Sequence, residues 1–280
     1  MDYKTILNNA TNLLKNYNIN NPKLDSELLL SNTLNITRES LLLSLNSKIK
    51  FRENKSFQEL LKKRIQKMPV AYILGYKYFW KTKFYINNFV LIPRPETEII
   101  IEEALKFMPK KKSIKILDIG TGSGCIIISL LQEMPKSKGI GLDISKKALK
   151  VAKTNAKIQQ VANRIKFINS DIDKFKSGKY DLVISNPPYI KKTRINRLSE
   201  DVRDFEPRKA LDGGYSGYSK IERVIKKGSE VLKRSGKLIL EIGYDQAYKT
   251  SLILEKYGFY INKISKDISN RDRCIISTKY

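Results

Sequence analysis

The chain has 280 residues, with 54 Lys and Arg against 28 Asp and Glu, a formal charge of +26, and 41% hydrophobic residues. This is a folded chain with room for one large domain or two smaller ones. It contains no histidine and only two cysteines, Cys125 and Cys274, which removes Ser-His-Asp and Cys-His triads, a histidine general base and Cys/His zinc sites. Chemistry therefore falls to a cofactor, carboxylates, amides and hydroxyls. The charge suits a polyanionic or acidic partner, and it equally suits a Lys-, Asn- and Ile-rich composition spread over every solvated face.

Met1-Asp2-Tyr3-Lys4 leads into a polar helix, and the longest apolar runs, such as Ile126-Ile127-Ile128, fall far short of the ~20 residues of a membrane span. The expectation is a cytoplasmic protein without membrane contact and with reduced thiols. Residues 1–68 form a helical domain. Ile6, Ala10, Leu13, Leu14 and Tyr17 share one helix face, Asn21-Pro22 is a helix start preceding a stripe of Leu24, Leu28 and Leu29, and Phe57, Leu60, Leu61 and Ile65 make another stripe. Residues 69–92 change to alternating aromatic and β-branched residues, Tyr76, Tyr78, Trp80, Phe84 and Ile86, with Asn87-Asn88 as a turn signal, and predict a β-hairpin linker.

Residues 93–280 alternate strands and helices. Ile114–Leu117, Gly139–Leu142, Ile165–Ile168, Leu182–Ile184 and Lys237–Ile242 are strand candidates between helical stretches, which predicts an α/β fold with a mostly parallel sheet. Tyr260–Ile264 and Cys274–Thr278 are joined by a loop too short for a crossover helix, so this last pair is expected to be antiparallel.

The first of these strands runs into Gly120-Thr121-Gly122-Ser123-Gly124 and then an apolar helix. Such a turn lets backbone approach a ligand without β-carbons in the way. The spacing is GxGxG, one residue short of the dinucleotide pattern GxGxxG. Asp143 closes the next strand, where a carboxylate accepts ribose hydroxyls, so loop and carboxylate together imply a nucleoside-type cofactor. Asp118 is placed to bind an amine or the loop, and Asp171 is placed either to take an adenine amino group or to cap the next helix. After the fourth strand comes Ser185-Asn186-Pro187-Pro188-Tyr189. Two prolines fix φ and remove donors, leaving carbonyls that only accept. The Asn186 side-chain oxygen and the Pro187 carbonyl can take the two hydrogens of a planar –NH2 group, with Tyr189 against its face.

These segments resemble a known family. NPPY and GTGSG are similar to class I S-adenosylmethionine-dependent N-methyltransferases, with a Rossmann-like sheet. Added to them are Pro69–Gly75, Phe79-Trp80, Leu91–Glu98, Asp201-Val202 with Phe205-Glu206-Pro207, and Leu240–Gly243. Together they resemble the peptide chain release factor glutamine methyltransferase (HemK/PrmC) family over nearly the whole chain. The resemblance implies S-adenosylmethionine as cofactor, held by Gly120, Thr121, Gly122, Ser123, Gly124, Asp143 and Asp171, with Asn186 near its methyl group. Ile172 stands beside the adenine, where the family often has an aromatic residue. The resemblance further implies Asn186 and Pro187 as catalytic residues, with Pro188 and Tyr189 completing the substrate loop. Release factors would be the protein substrate, recognised by the N-terminal helical domain, and nucleic acid would not be required. Pro93–Glu98 would cross above the cofactor, with Arg94 and Glu96 either contributing there or forming a salt bridge at a helix start. The alternative is an NPPY-type methyltransferase acting on the exocyclic amine of adenine or guanine in nucleic acid. A nicotinamide-dependent dehydrogenase and a non-catalytic RNA-binding module fit the motifs less well.

Overall fold

A computed structural model of the chain describes residues 1–109 and 113–280. Two units emerge, one of residues 1–76 with 199–205, the other of residues 77–198 with 206–280. The division differs from an expected linker over 69–92, because residues 70–74 form a short helix that joins the first unit and the hairpin strands beyond Tyr76 belong to the second.

The first unit holds α1 (Tyr3–Asn16), α2 (Pro22–Leu34), α3 (Arg38–Leu43), α4 (Phe51–Ile65) and α5 (Val70–Leu74). Asp2 caps α1 by accepting from the Thr5 amide at 2.7 Å, and Pro22 stands at the start of α2. Ile6, Ala10 and Leu14 of α1 meet Leu29 and Leu30 of α2 and Phe57 and Leu61 of α4 in one core. The stripe expected on α2 is only partly buried: Leu24 is exposed, and Asp25 and Glu27 point inward instead. Each buried carboxylate is compensated, Asp25 by Arg64 and Glu27 by Arg38, both at 2.7 Å. Apolar spacing misplaces the face here because ion pairs occupy positions that usually hold leucines.

In the second unit, β1 (Tyr76–Phe79, its first residue in the first unit) and β2 (Thr82–Tyr85) make a hairpin that turns at Trp80-Lys81, with Trp80 at φ 56°. Asn87 forms a separate turn further on, its side chain accepting from the Phe89 amide at 3.0 Å. Then follow α6 (Glu98–Phe107), β3 (Lys115–Ile119), α7 (Cys125–Glu133), β4 (Lys138–Asp143), α8 (Lys146–Ile158), β5 (Ile165–Asn169) and β6 (Tyr180–Ser185). After α9 (Glu200–Phe205), which belongs to the first unit, the second unit continues with the short α10 (Arg208–Leu211), α11 (Ser219–Val231), β7 (Leu232–Glu241), α12 (Ala247–Lys256), β8 (Phe259–Lys266) and β9 (Asp272–Lys279).

The seven-stranded sheet has the order β5-β4-β3-β6-β7-β9-β8. The first five strands pair in parallel, and β9 runs antiparallel to both β7 and β8. The antiparallel final pair expected from the short connection is present, with β9 inserted between β7 and β8. Alternation of side chains along each strand divides the core. Ile116, Leu182, Ile184, Ile239 and Ile276 pack with α6 and α7 on one face. Leu117, Val183, Leu238, Leu240 and Ile275 pack with α11 and α12 on the other.

Asn155 of α8, fully buried, joins the hairpin to the turn after β3. Its Oδ1 accepts from the Tyr85 amide at 2.8 Å, and its Nδ2 donates to the Tyr85 and Ser123 carbonyls, each at 2.9 Å. Asn155→Ala leaves one amide and two carbonyls without this partner, each buried loss costing ~1–3 kcal/mol. We expect the variant to lose about 2–4 kcal/mol of unfolding free energy in urea denaturation; an unshifted midpoint would show that the tie carries no stability.

Candidate active site

The turn between β3 and α7 is built on three glycines at positive φ, Gly120 (76°), Gly122 (55°) and Gly124 (80°). A β-carbon on Gly120 would meet nothing within 4 Å, and one on Gly122 only the Gly120 carbonyl at 3.9 Å, so this side of the loop lies open. At Gly124 a β-carbon would strike Ile128 at 2.9 Å and Ala152 at 3.3 Å, which is where the loop closes onto α7 and α8. The amides of Gly120 and Thr121 both reach the Leu142 carbonyl, at 2.8 and 3.0 Å, and hold the turn against β4.

Asp118 lies fully buried beneath this loop. Its Oδ2 accepts from the Thr121 hydroxyl at 2.6 Å, so it shapes the loop through that side chain, while Oδ1 has no hydrogen-bond partner among the described residues. Burial pushes its carboxyl up to about 7, opposed by the Thr121 hydrogen bond and reinforced by the nearby Asp143. Asp143, at the end of β4, accepts from the Gly122 amide at 2.9 Å and the Ser145 amide at 2.8 Å, with burial raising its carboxyl above the usual range. An open glycine cradle, a carboxylate at its rim and an orphaned buried carboxyl oxygen below fit a polar, hydroxyl-bearing cofactor.

Asp171 belongs to a surface ion pair. Its Oδ1 takes the Arg223 guanidinium at 2.7 Å and the Asp173 amide at 2.9 Å, interactions that hold its carboxyl below the ordinary value. Ile172 packs half-buried against the core cluster of α11 and α12.

At the end of β6, the fully buried Ser185 donates to the Ile119 carbonyl at 2.6 Å and fastens β6 to β3. Asn186 follows, its Nδ2 donating to Thr97 Oγ1 at 3.2 Å. That bond fixes the amide plane and leaves Asn186 Oδ1 as an acceptor, beside a buried Pro187 whose ring lacks an N–H. Thr97 in turn interacts with Glu241, the last residue of β7, which also accepts from the Tyr189 hydroxyl at 3.2 Å. Glu241 Oε2 is buried without a geometric hydrogen-bond partner. Burial pushes this carboxyl up to about 7, with the Thr97 and Tyr189 hydroxyls and Arg273 pulling the other way. The Tyr189 ring is thereby anchored at its hydroxyl and half-buried in the core, rather than standing free.

The strap before α6 is pinned independently. Arg94 pairs with Glu206, not with Glu96, and donates to the Ile92 carbonyl at 2.8 Å, while the Ile92 amide donates to Glu206 at 3.2 Å. Thr97, Glu206 and Glu241 lie within the segments that carry the family resemblance, but the sequence alone assigns them no role. A carboxylate closing the apolar run Leu238-Ile239-Leu240 was the available signal for Glu241.

One row collects these groups. Asp143 pairs with Asn169, Ile119 with Leu142, Asp118 with Ile184, and Ser185 with Leu240. Asn169, Asp143, Gly120, Asn186 and Glu241 are therefore neighbours across five parallel strands at their carboxyl ends. The chain order reverses between β3 and β6, the place where open α/β sheets bind ligands.

This sheet with its glycine turn defines a class I methyltransferase fold. A methyltransferase-domain family model matches residues 110–267, and a PrmC N-terminal domain model matches residues 5–75. The solved structure of a methyltransferase from Pyrococcus furiosus is similar with a TM-score of 0.51 at 19% identity, covering 81% of this chain and 98% of that one. Release factor glutamine methyltransferases of Caulobacter vibrioides and Clostridium botulinum are each 36% identical, covering 96% and 100% of this chain and 94% and 100% of their own. A bifunctional methyltransferase of Rickettsia typhi is 38% identical over 97% of this chain and 56% of its own length, so the chain spans about half of that relative. The chain belongs to the release factor glutamine methyltransferase family.

The raised carboxyls make stability fall with pH. Between the ordinary values of 3.8 for Asp118 and 4.5 for Glu241 and about 7, the folded chain holds protons that the unfolded chain has lost. Stability from these groups therefore declines as pH rises to about 7 and is level above it. Glu241→Gln removes one of the two groups and keeps an acceptor for Tyr189. Urea denaturation across about pH 5 to 8 should show a shallower decline for the variant, which overtakes the parent at the alkaline end; parallel profiles would contradict a buried, neutralised Glu241.

Proposed function

We propose that the chain transfers a methyl group from S-adenosylmethionine to the side-chain amide nitrogen of the glutamine in the Gly-Gly-Gln loop of peptide chain release factors, giving N5-methylglutamine. The single observation that carries this is the clamped Asn186. With Nδ2 committed to Thr97, its Oδ1 faces the role of acceptor beside the Pro187 carbonyl, two acceptors for the two hydrogens of one planar –NH2 group. The names and full-length coverage of the relatives support a release factor as the bearer of that group. No helix among the described residues is long and apolar enough to cross a membrane, and we place the reaction in the cytoplasm, where release factors act.

Held at the glycine loop, S-adenosylmethionine would supply an electrophilic sulfonium methyl group, with its own thioether as the leaving group. The residues that would hold it are Gly120–Gly124 through their open backbone, Asp143 toward the ribose hydroxyls, and Asp171 and Ile172 at the base. Asn186 and Pro187 hold the glutamine amide, weaken its conjugation and turn the nitrogen lone pair toward the methyl carbon. The nitrogen forms the new C–N bond and releases its proton to water, so no general base is required in a chain without histidine. Positioning is the protein's share, an effect worth up to ~7–11 kcal/mol in ideal cases. The +26 charge favours a second acceptor class, the exocyclic amine of a nucleic-acid base, which the same two acceptors would also hold.

Two expectations follow for methyl incorporation into purified release factor. Asn186→Ala should lower kcat by ~10²-fold or more, the scale of a misaligned reacting group, with the Kd for S-adenosylmethionine nearly unchanged. Thr97→Val should lower kcat in the same sense while Thr97→Ser restores it. Parent rates from Asn186→Ala would remove that residue from the mechanism. Calorimetry tests the other half of the site: Asp143→Ala should weaken S-adenosylmethionine binding by ~10- to 100-fold, from hydrogen bonds to a charged group worth ~1.5–3 kcal/mol. An unaltered affinity in the folded variant would take Asp143 out of the cofactor site.

A further inference from the structure

The stretch that presents acceptors to the substrate amide lacks the means to fix itself. Pro187 and Pro188 have no N–H, so neither is tied to a neighbour by its own backbone donor, and with φ set by the rings the direction of the Pro187 carbonyl depends on what holds the two ends of the loop. Ser185 on Ile119 and Asn186 on Thr97 hold the near end. The far end is held by the loop Asp212–Tyr218 and by one side chain, Gln246.

The Ile190 amide donates to the Leu211 carbonyl at 3.2 Å, the Gly213 amide to the Ile190 carbonyl at 2.9 Å and the Lys192 amide to the Gly214 carbonyl at 3.0 Å. The two loops approach so closely that only glycine fits between them. A β-carbon on Gly213 would lie 2.8 Å from the Pro188 carbonyl oxygen and from Tyr189 Cα, and one on Gly217, at φ 83°, would lie 2.7 Å from the Tyr189 carbonyl oxygen. Gln246, 2% exposed, closes this clamp. Its Nε2 donates to the Tyr189 and Gly217 carbonyls, each at 3.2 Å, and its Oε1 accepts from the Gly243 amide at 2.9 Å. Gly243 lies two residues beyond the end of β7, so a single buried amide joins the acceptor loop, the glycine loop and that strand end. Gln246 also stands at the N-cap of α12, but its side chain makes no capping bond to that helix. Helix capping therefore does not account for it, and both of its N–H hydrogens are spent on carbonyls of other loops.

We propose that Gln246 is a positioning residue for methyl transfer: by tying the Tyr189 carbonyl to Gly217 and to the end of β7, it sets the direction of the Pro187 carbonyl, the second acceptor of the substrate amide. Thr97 aims one acceptor and Gln246 the other. This role presupposes the acceptor reading of Asn186 and Pro187, and Gln246 acts only through their loop.

Methyl incorporation into purified release factor, with kcat and KM separated across about pH 5.5 to 8.5, tests it. Gln246→Glu keeps the acceptor for the Gly243 amide; ionised, it turns negative oxygens on the two carbonyls, and protonated it recovers one donor. Its kcat relative to the parent should be ~10²-fold lower at the alkaline end, the scale of a misaligned reacting group, and should rise ~10-fold or more toward acid. Gln246→Met, similar in size and without a donor, should be low by the same order at every pH. Asp245, paired with Arg194 at 3.6 Å, and Glu241 beyond Tyr189 are present in parent and variants alike, so the ratio isolates the new carboxyl. In both variants the KM for release factor and the calorimetric Kd for S-adenosylmethionine should stay within about twofold of the parent. Parent kcat in Gln246→Met, a loss confined to KM, a Gln246→Glu ratio indifferent to pH, or S-adenosylmethionine affinity falling in step with kcat would each overturn the proposal. Asn186→Ala, run beside them, separates the two claims. Parent rates there would overturn the acceptor reading and this role with it, whereas a lost rate there with parent rates in Gln246→Met would overturn the role of Gln246 alone.

Discussion

The register of five parallel strands is the constraint on which the site depends. Because Ile119 pairs with Leu142 and Ser185 with Leu240, the residues that follow each strand emerge at one level, and the glycine turn, Asp143, Asn186 and Glu241 become lateral neighbours. Adjacent strands lie ~4.8 Å apart, so the open backbone of Gly120 and the Asn186 amide are separated by a single strand spacing. A slip of one residue in β6 would send the Asn186 side chain to the opposite face of the sheet and break the Ser185 bond to Ile119.

Two buried carboxyls, Asp118 beneath that row and Glu241 at its end, organise it. Asp118 holds Thr121, and through it the curvature of the glycine turn. Glu241 holds Tyr189 and, by way of Thr97, the orientation of the Asn186 amide. Both carboxyls are pushed up to about 7 by burial, which relieves part of the cost of placing acids in the core. The strap carrying Thr97 is itself held by Arg94 on Glu206, so the acceptor geometry is fixed from two directions.

What was legible in the sequence is what is local. Gly120–Gly124, Asp143 and Asn186–Tyr189 each declare themselves within a few residues, because a turn, a strand end and a proline pair have chemistry that neighbours alone impose. The alternating strands likewise announced the parallel sheet, and the short connection after Tyr260–Ile264 announced the antiparallel pair. The partners Thr97 and Asn186 are 89 residues apart and Arg94 and Glu206 are 112 apart, and no local pattern marks such pairs. Trp80 gave no turn signal because its positive φ is imposed by the hairpin, with Glu98 accepting from its amide at 2.7 Å, whereas Asn87 signalled a real turn in another place. On α2, Asp25 and Glu27 occupy the inward face through guanidinium pairs that lie on other helices, so apolar spacing named Leu24 in their stead.

The central claim is that the acceptor loop presents its two oxygens to a glutamine amide of a protein. It is tested most directly by competition in one vessel: S-adenosylmethionine carrying a labelled methyl group, purified release factor, and an excess of RNA and DNA, followed by mass mapping of all three. The arrangement of Asn186 and Pro187 within this family predicts label on the side-chain nitrogen of the Gly-Gly-Gln glutamine, with the nucleic acids unmodified. Label on a base amine with the release factor unmodified would contradict it.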